Sequence, residues 1–160
     1  MKLAKTIRFD ASDTHVFEKA ADEGNWAVSG GFSFAHCREA ELTGKVKQAF
    51  ANGFLSIPDF GYSTFVSVST ASAGDLDWLE TVLAAHLSSH YGAPSEDAAR
   101  AAAREEIAFM ADICSEHKPG TLLSLARHMD KKGIKEQFRA HAKAVSCATQ
   151  TLWQIVDDEL

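Results

Sequence analysis

Leu3, Ile7 and Phe9, with Lys5 between them, alternate with Lys2, Ala4, Thr6 and Arg8. That period of two predicts a half-buried strand over 2–9. Trp26, Val28, Phe32 and Phe34 form a second alternating set. Gly30-Gly31 interrupts it, which predicts a strand with a bulge or bend. Residues 40–53 place Leu42, Val46, Ala49 and Phe50 on one helical face, with Gly53 as the stop. Ile57-Pro58-Asp59-Phe60-Gly61 is a turn signal, and the Thr-, Val- and aromatic-rich run 62–71 predicts a third strand.

Leu76, Leu79, Leu83 and Leu87 recur at helical spacing and predict a helix over 75–91. Pro94-Ser95 opens another, with Ser95 as cap, Glu96 and Asp97 in the first turn, and Ala-rich sequence to His117. So short a connection makes the two an antiparallel hairpin. Residues 121–129 fit either a strand or a short helix. The reversal signal Asp130-Lys131-Lys132-Gly133 favours the strand. Phe138, Ala142, Val145, Ala148, Leu152 and Val156 share a stripe that predicts a long C-terminal helix starting between 134 and 140. Strands and helices do not alternate as βαβ units. The expected fold is α+β in one domain over 1–160: an antiparallel sheet of four to five strands against an αα-hairpin, a shorter helix and the C-terminal helix.

With 46% hydrophobic and 24% charged residues, the composition is that of a folded globular chain. No run reaches the ~18–20 apolar residues of a bilayer-spanning helix. Sixteen Lys and Arg face 22 Asp and Glu, and the excess negative charge falls within 61–120. That balance argues against nucleic acid as a partner, because phosphates are bound by Lys and Arg. No polybasic cluster suits a membrane surface either. Met1 to Asp13 lacks the apolar stretch of a secretory signal, so a cytoplasmic location is expected. Cys37, Cys114 and Cys147 are an odd number, far apart and without a CxxC, which predicts reduced, unreactive thiols.

Four segments resemble a family of uncharacterised bacterial proteins of similar length, classed as a domain of unknown function. They are GKVKQAFANGF (44–54), FGYSTFVSVS (60–69), HYGAP (90–94) and GTLLSLARHMDKKGIKEQFR (120–139). The resemblance covers residues 1 to about 140. It implies a bacterial cytoplasmic protein and carries no mechanism.

Three features bear on chemistry. His86 and His90 lie four apart on a helix, a spacing that can ligate a metal. Leu87 stands where a metalloprotease motif needs Glu. Cys114 and His117 cannot join the pair, because the hairpin separates them by roughly 21 Å at 1.5 Å per residue. The metal reading is therefore His86, His90 and Glu96, with Asp97 as substitute, around a divalent zinc, iron or manganese ion. No cofactor is firmly expected. The second feature is Glu106, which falls with His117 inside the apolar arc of Ala99, Ala103, Phe109, Met110, Ile113 and Cys114. Such a carboxylate is paired, with Arg8 or Arg127 as partner, or has a raised pKa and could line a ligand pocket. The third is Trp78, opposite the Leu stripe and so exposed, which suits a protein partner or a homodimer contact.

No phosphate loop, dinucleotide fingerprint or nucleophile elbow is present. His36 and Cys37, as strand neighbours, would point to opposite faces and make no nucleophile–base pair. The leading expectation is an accessory or interaction domain without a catalytic motif. The alternatives are a metal-binding protein or small metal-dependent enzyme built on His86 and His90, and a small-ligand domain with its pocket near Glu106.

Overall fold

The structure is a computed structural model that describes residues 1–9, 11–144 and 152–159, with side chains described up to His141. In chain order the elements are β1 (Lys2–Ile7), α1 (Ser12–Val16), β2 (Trp26–Val28), α2 (Gly44–Asn52), β3 (Phe54–Ile57), β4 (Tyr62–Ser63), β5 (Phe65–Thr70), α3 (Ala73–His90), α4 (Glu96–Cys114), β6 (Leu122–Asp130), β7 (Gly133–Ala144) and β8 (Leu152–Glu159). Two 3-10 turns, Gly31–Phe34 and Glu39–Glu41, lie between β2 and α2. The class is α+β, as the patterning predicts.

All eight strands form one sheet in the order β4-β3-β2-β1-β5-β6-β7-β8, and each neighbouring pair is antiparallel. The expectation of four to five strands is too low. Phe54–Ile57 contributes a strand that hydrophobic alternation did not reveal, because all four of its residues are buried. A strand covered on both faces reads as a continuous apolar run.

The larger correction is at the C-terminus, where a long helix is expected and β7 and β8 are found. Val145, Ala148 and Cys147 lie outside the described residues. The stripe misled because Phe138 and Ala142 are four apart. That spacing puts two residues on one face of a strand as well as of a helix. Ile134, Glu136, Phe138 and Ala140 share one face of β7, and Phe138 and Ala140 are buried. Residues 121–129 are strand, as the turn signal favours. Asp130 pairs with Gly133 across that turn, and Arg127 stands opposite Glu136.

The second alternating set also ends early. Gly30 takes φ 85°, a left-handed conformation that suits glycine, and the chain leaves β2 into the 3-10 turn carrying Phe32 and Phe34. His36 and Cys37 follow that turn and are not on a strand. Gly53, at the end of α2, is extended (φ −93°) and not left-handed. Glycine is required there because a Cβ would sit 2.7 Å from the Ala49 carbonyl oxygen and 2.8 Å from the Tyr62 ring.

Helices α3 and α4 form the expected hairpin. Ser72 caps α3 by accepting from the Asp75 amide, while Asp75 accepts from the Ser72 amide. Ser95 caps α4 through the Ala98 amide. Between the helices, Glu80 takes Arg104 at 3.0 Å and Arg100 at 3.3 Å. Leu79, Leu83 and Leu87 of α3 and Ala99, Ala103, Ile107 and Met110 of α4 join the main core, with Val66, Val68, Leu123 and Phe138 of the sheet. A smaller cluster of Phe17, Phe34, Leu42, Ala49 and Phe50 seals α1 and α2. No described helix is long and apolar enough to cross a membrane.

Candidate functional site

A cleft of about 610 Å³ opens between α4, the first 3-10 turn and the β6–β7 hairpin. Helix α4 supplies Glu106 and Phe109, the 3-10 segment supplies Gly31 and Phe32, and β7 supplies Ile134 and Glu136. Met129, Asp130 and Lys131 line the hairpin side, and Cys37 closes another edge.

Behind the cleft lining, Glu136 and the Ser29 carbonyl are held by Arg127, which is 4% exposed. Its Nε donates to Glu136 Oε2 at 2.9 Å, one terminal nitrogen donates to Phe50 O at 2.6 Å, and the other donates to Ser29 O at 2.7 Å. Phe50 belongs to the last turn of α2, whose carbonyls have no partner within the helix. A cation is favourable there because it meets the negative end of the helix dipole. Arg127 also lies over the Phe34 ring, 5.6 Å from its centroid. Burial pushes the guanidinium's pKa down and Glu136 pulls it up; the net direction is downward. A guanidinium remains charged at neutral pH nonetheless.

Glu136 is thus a held carboxylate. Gly31 leaves it room, because a Cβ there would lie 3.1 Å from Glu136 Oε2. Glu106 is the opposite case. It is half-buried, and no described residue hydrogen-bonds or ion-pairs with it. Burial first, then repulsion from Glu136 and Glu105, push its pKa up to about 7, against a smaller pull from Arg127. The sequence offers Arg8 or Arg127 as its partner. In the structure Arg127 is taken by Glu136, and Arg8 donates to the Ala21 carbonyl.

The companion residue His117 is buried but does not line this cleft. Phe109 is not part of the buried arc either. It is 43% exposed and meets Phe138 edge-on at 5.9 Å. Glu136 is the residue that sequence reading missed. Its signal was legible: a carboxylate on the Ile134/Phe138 face, across a tight turn from an Arg on an apolar strand.

A family of unknown function, DUF6505, matches residues 1–153. The chain belongs to the DUF6505 family. No curated protein and no solved structure matches the chain. The family assignment agrees with the resemblance read from the four segments and extends past residue 140. It gives this DUF6505 chain no chemistry, so the remaining candidates stand on geometry.

His86 and His90 do come together, but as a stack. Their ring centroids are 4.6 Å apart at 28°, and Phe60 lies flat on His86 at 3.6 Å and 6°. Phe60 reaches it from a left-handed position (φ 55°) in a turn where Asp59 accepts from the Asp22 and Gly61 amides and from Ser56. Burial pushes the Asp59 pKa up, but those hydrogen bonds and Lys19 outweigh it and hold it low. A chelate needs ring nitrogens whose in-plane lone pairs converge on one ion. Stacked rings direct those lone pairs along nearly parallel planes. Glu96 meets its own Arg100 at 3.8 Å. Among the described residues no group of three or more His, Cys, Asp or Glu is placed to hold a metal. Burial, His90 and Lys19 push the His86 pKa down.

Trp78 is 44% exposed. It precedes Leu79 by one residue, and Glu80, which faces α4, follows Leu79 by one. At 100° per residue Trp78 is therefore on the side of α3 away from α4. Cys37 and Cys114 are free, and burial pushes the Cys114 thiol up to about 12, far from the reactive thiolate.

Proposed function

We propose that this DUF6505 chain is a small-ligand-binding domain whose site is the cleft at Glu106. The observation that carries the reading is a half-buried carboxylate, unpaired among the described residues, on the wall of a cleft of about 610 Å³. A cleft of a few hundred Å³ with apolar walls and a few placed polar groups has the anatomy of a ligand site. A half-buried carboxylate without a partner is costly to maintain for structure alone. Free Cys37 and Cys114 suit the cytoplasmic location that accompanies this reading. The test is a small-molecule screen on isotope-labelled protein, read by amide shifts. Binders that shift Gly31, Phe32, Glu106 and Glu136 together support the cleft. Binders that consistently shift residues elsewhere would move the site.

An interaction role is the second reading, and the exposure of Trp78 favours it. Exposed Trp is enriched at contact surfaces. Light scattering of the wild type and Trp78→Ser tests self-association: a dimer that becomes monomeric in the variant supports it, and a wild-type monomer removes the homodimer form.

A further inference from the structure

We propose that the cleft takes a small organic cation, an ammonium or amidinium group held between Glu106 and Glu136 with its carbon skeleton against Phe32 and Phe109. The inference rests on the reading of the cleft as a ligand site and specifies its ligand class.

The two carboxylates are prepared differently. Arg127 fixes Glu136 through Oε2, and no described group hydrogen-bonds Oε1. Among the described residues Glu106 has no hydrogen-bond or ion-pair partner, and only a smaller electrostatic pull from Arg127 reaches it. A bound ammonium or amidinium supplies the missing positive charge and donates to carboxylate oxygens with charge-assisted strength. Phe32 and Phe109, with Met129 and Ile134, give the cleft apolar and aromatic walls suited to a carbon skeleton and to a cation over a ring face.

The alternatives fit less well. An anion would need donors, yet Arg127 is buried, does not line the cleft, and already donates to Glu136, Phe50 and Ser29. Lys131 sits exposed in the β6–β7 turn, beside Asp130. A metal ion would fill a small part of 610 Å³ and leave the aromatic walls without a role.

The cation also couples to a proton. The charged and titratable groups around Glu106 are Glu105 on its own helix, Glu136 and Arg127 from the hairpin strands, and Asp130, Lys131 and Cys37 along the cleft. Glu106 is the one poised near neutrality. A cation binds its ionised form, so binding releases a proton and affinity rises with pH. If the ionised form alone binds, affinity gains about tenfold between pH 6 and pH 8.

The experiment uses three compounds of one shape: benzamidinium, benzamide and benzoate. Each is titrated into the full chain and into Glu106→Gln, at pH 6 and pH 8, with amide shifts of Gly31, Phe32, Phe109 and Glu136 as readout. Magnesium chloride is titrated separately. The expected result is that benzamidinium alone shifts the cleft amides, binds about tenfold more tightly at pH 8 than at pH 6, and loses its pH dependence and most of its affinity in Glu106→Gln. Benzamide or benzoate shifting the same amides as strongly would overturn the cation class and leave the ligand-site reading standing. None of the three shifting those amides would overturn both. Magnesium saturating the cleft in place of benzamidinium would overturn the organic class in favour of a metal. Wild-type-like binding of benzamidinium in Glu106→Gln would also overturn it.

Discussion

Arg127 and Glu136 face each other across the β6–β7 hairpin, joined by a 2.9 Å hydrogen bond from Nε to Oε2. The same guanidinium closes the end of α2 and holds the Ser29 carbonyl, so one side chain ties together the hairpin, α2 and two residues that line the cleft, Glu136 and Ser29. Replacing Arg127 with Met removes the charge and keeps most of the volume. It leaves Glu136 without its cation and the Phe50 and Ser29 carbonyls without their donor. Breaking a buried pair from one side costs about 3–5 kcal/mol. Urea denaturation should show a loss of that order, and a loss below about 1 kcal/mol, the range of a surface pair, would mean that the cluster is dispensable.

Glu106 makes the opposite prediction. Its folded pKa is raised from 4.5 to about 7. A group raised in this way favours the fold most below its unfolded pKa, and that contribution is lost as pH rises through the folded pKa. Between pH 4.5 and 7 the ionisation of Glu106 therefore erodes stability. Glu106→Gln removes the charge and should stabilise the protein by about 1–2 kcal/mol at pH 8, after allowance for partial exposure, and by little at pH 5. Denaturant midpoints at the two pH values check this. A variant less stable at pH 8 would show that the carboxylate has a stabilising partner.

The legible parts of the fold were those where one period was unambiguous. The Leu76/Leu79/Leu83/Leu87 spacing, the Ser95 cap and the alternation from Lys2 to Ile7 each correspond to an element. The rest was hidden for specific physical reasons. Phe54–Ile57 is buried on both faces and has no alternation to read. The spacing of Phe138 and Ala142 suits a strand and a helix equally. The helix reading took Glu136 off the sheet, so its pairing with Arg127 and its place beside Glu106 were lost together. Glu106 itself was visible as a carboxylate among apolar neighbours. The His pair was visible as an i, i+4 spacing, but its stacking depends on Phe60, which a distant turn delivers.

The stacked pair gives a third prediction. Burial, His90 and Lys19 hold the His86 pKa down. A depressed pKa means that its contribution to stability is present above the unfolded value of about 6.5 and is lost as pH falls through the folded pKa. His86→Phe keeps a ring against Phe60 and removes the titration. Thermal melts should show the wild type losing more stability than the variant between pH 7.5 and 5.5. Elemental mass spectrometry of untagged wild type and of His86→Ala/His90→Ala completes the test. The stacked geometry predicts the same low metal content in both, whereas stoichiometric zinc, iron or manganese lost in the variant would show that the rings unstack to chelate.

The central claim is that Glu106, without a partner among the described residues, is a carboxylate held on the wall of the cleft by burial, and a carbon-detected NMR titration of the side-chain carboxyls tests it most directly. The account predicts a Glu106 midpoint near pH 7, which falls when benzamidinium is bound. A Glu106 midpoint at the ordinary value, near 4.5, would contradict it, because the group would then be solvated or paired and the cleft would have lost the charge on which its function is argued.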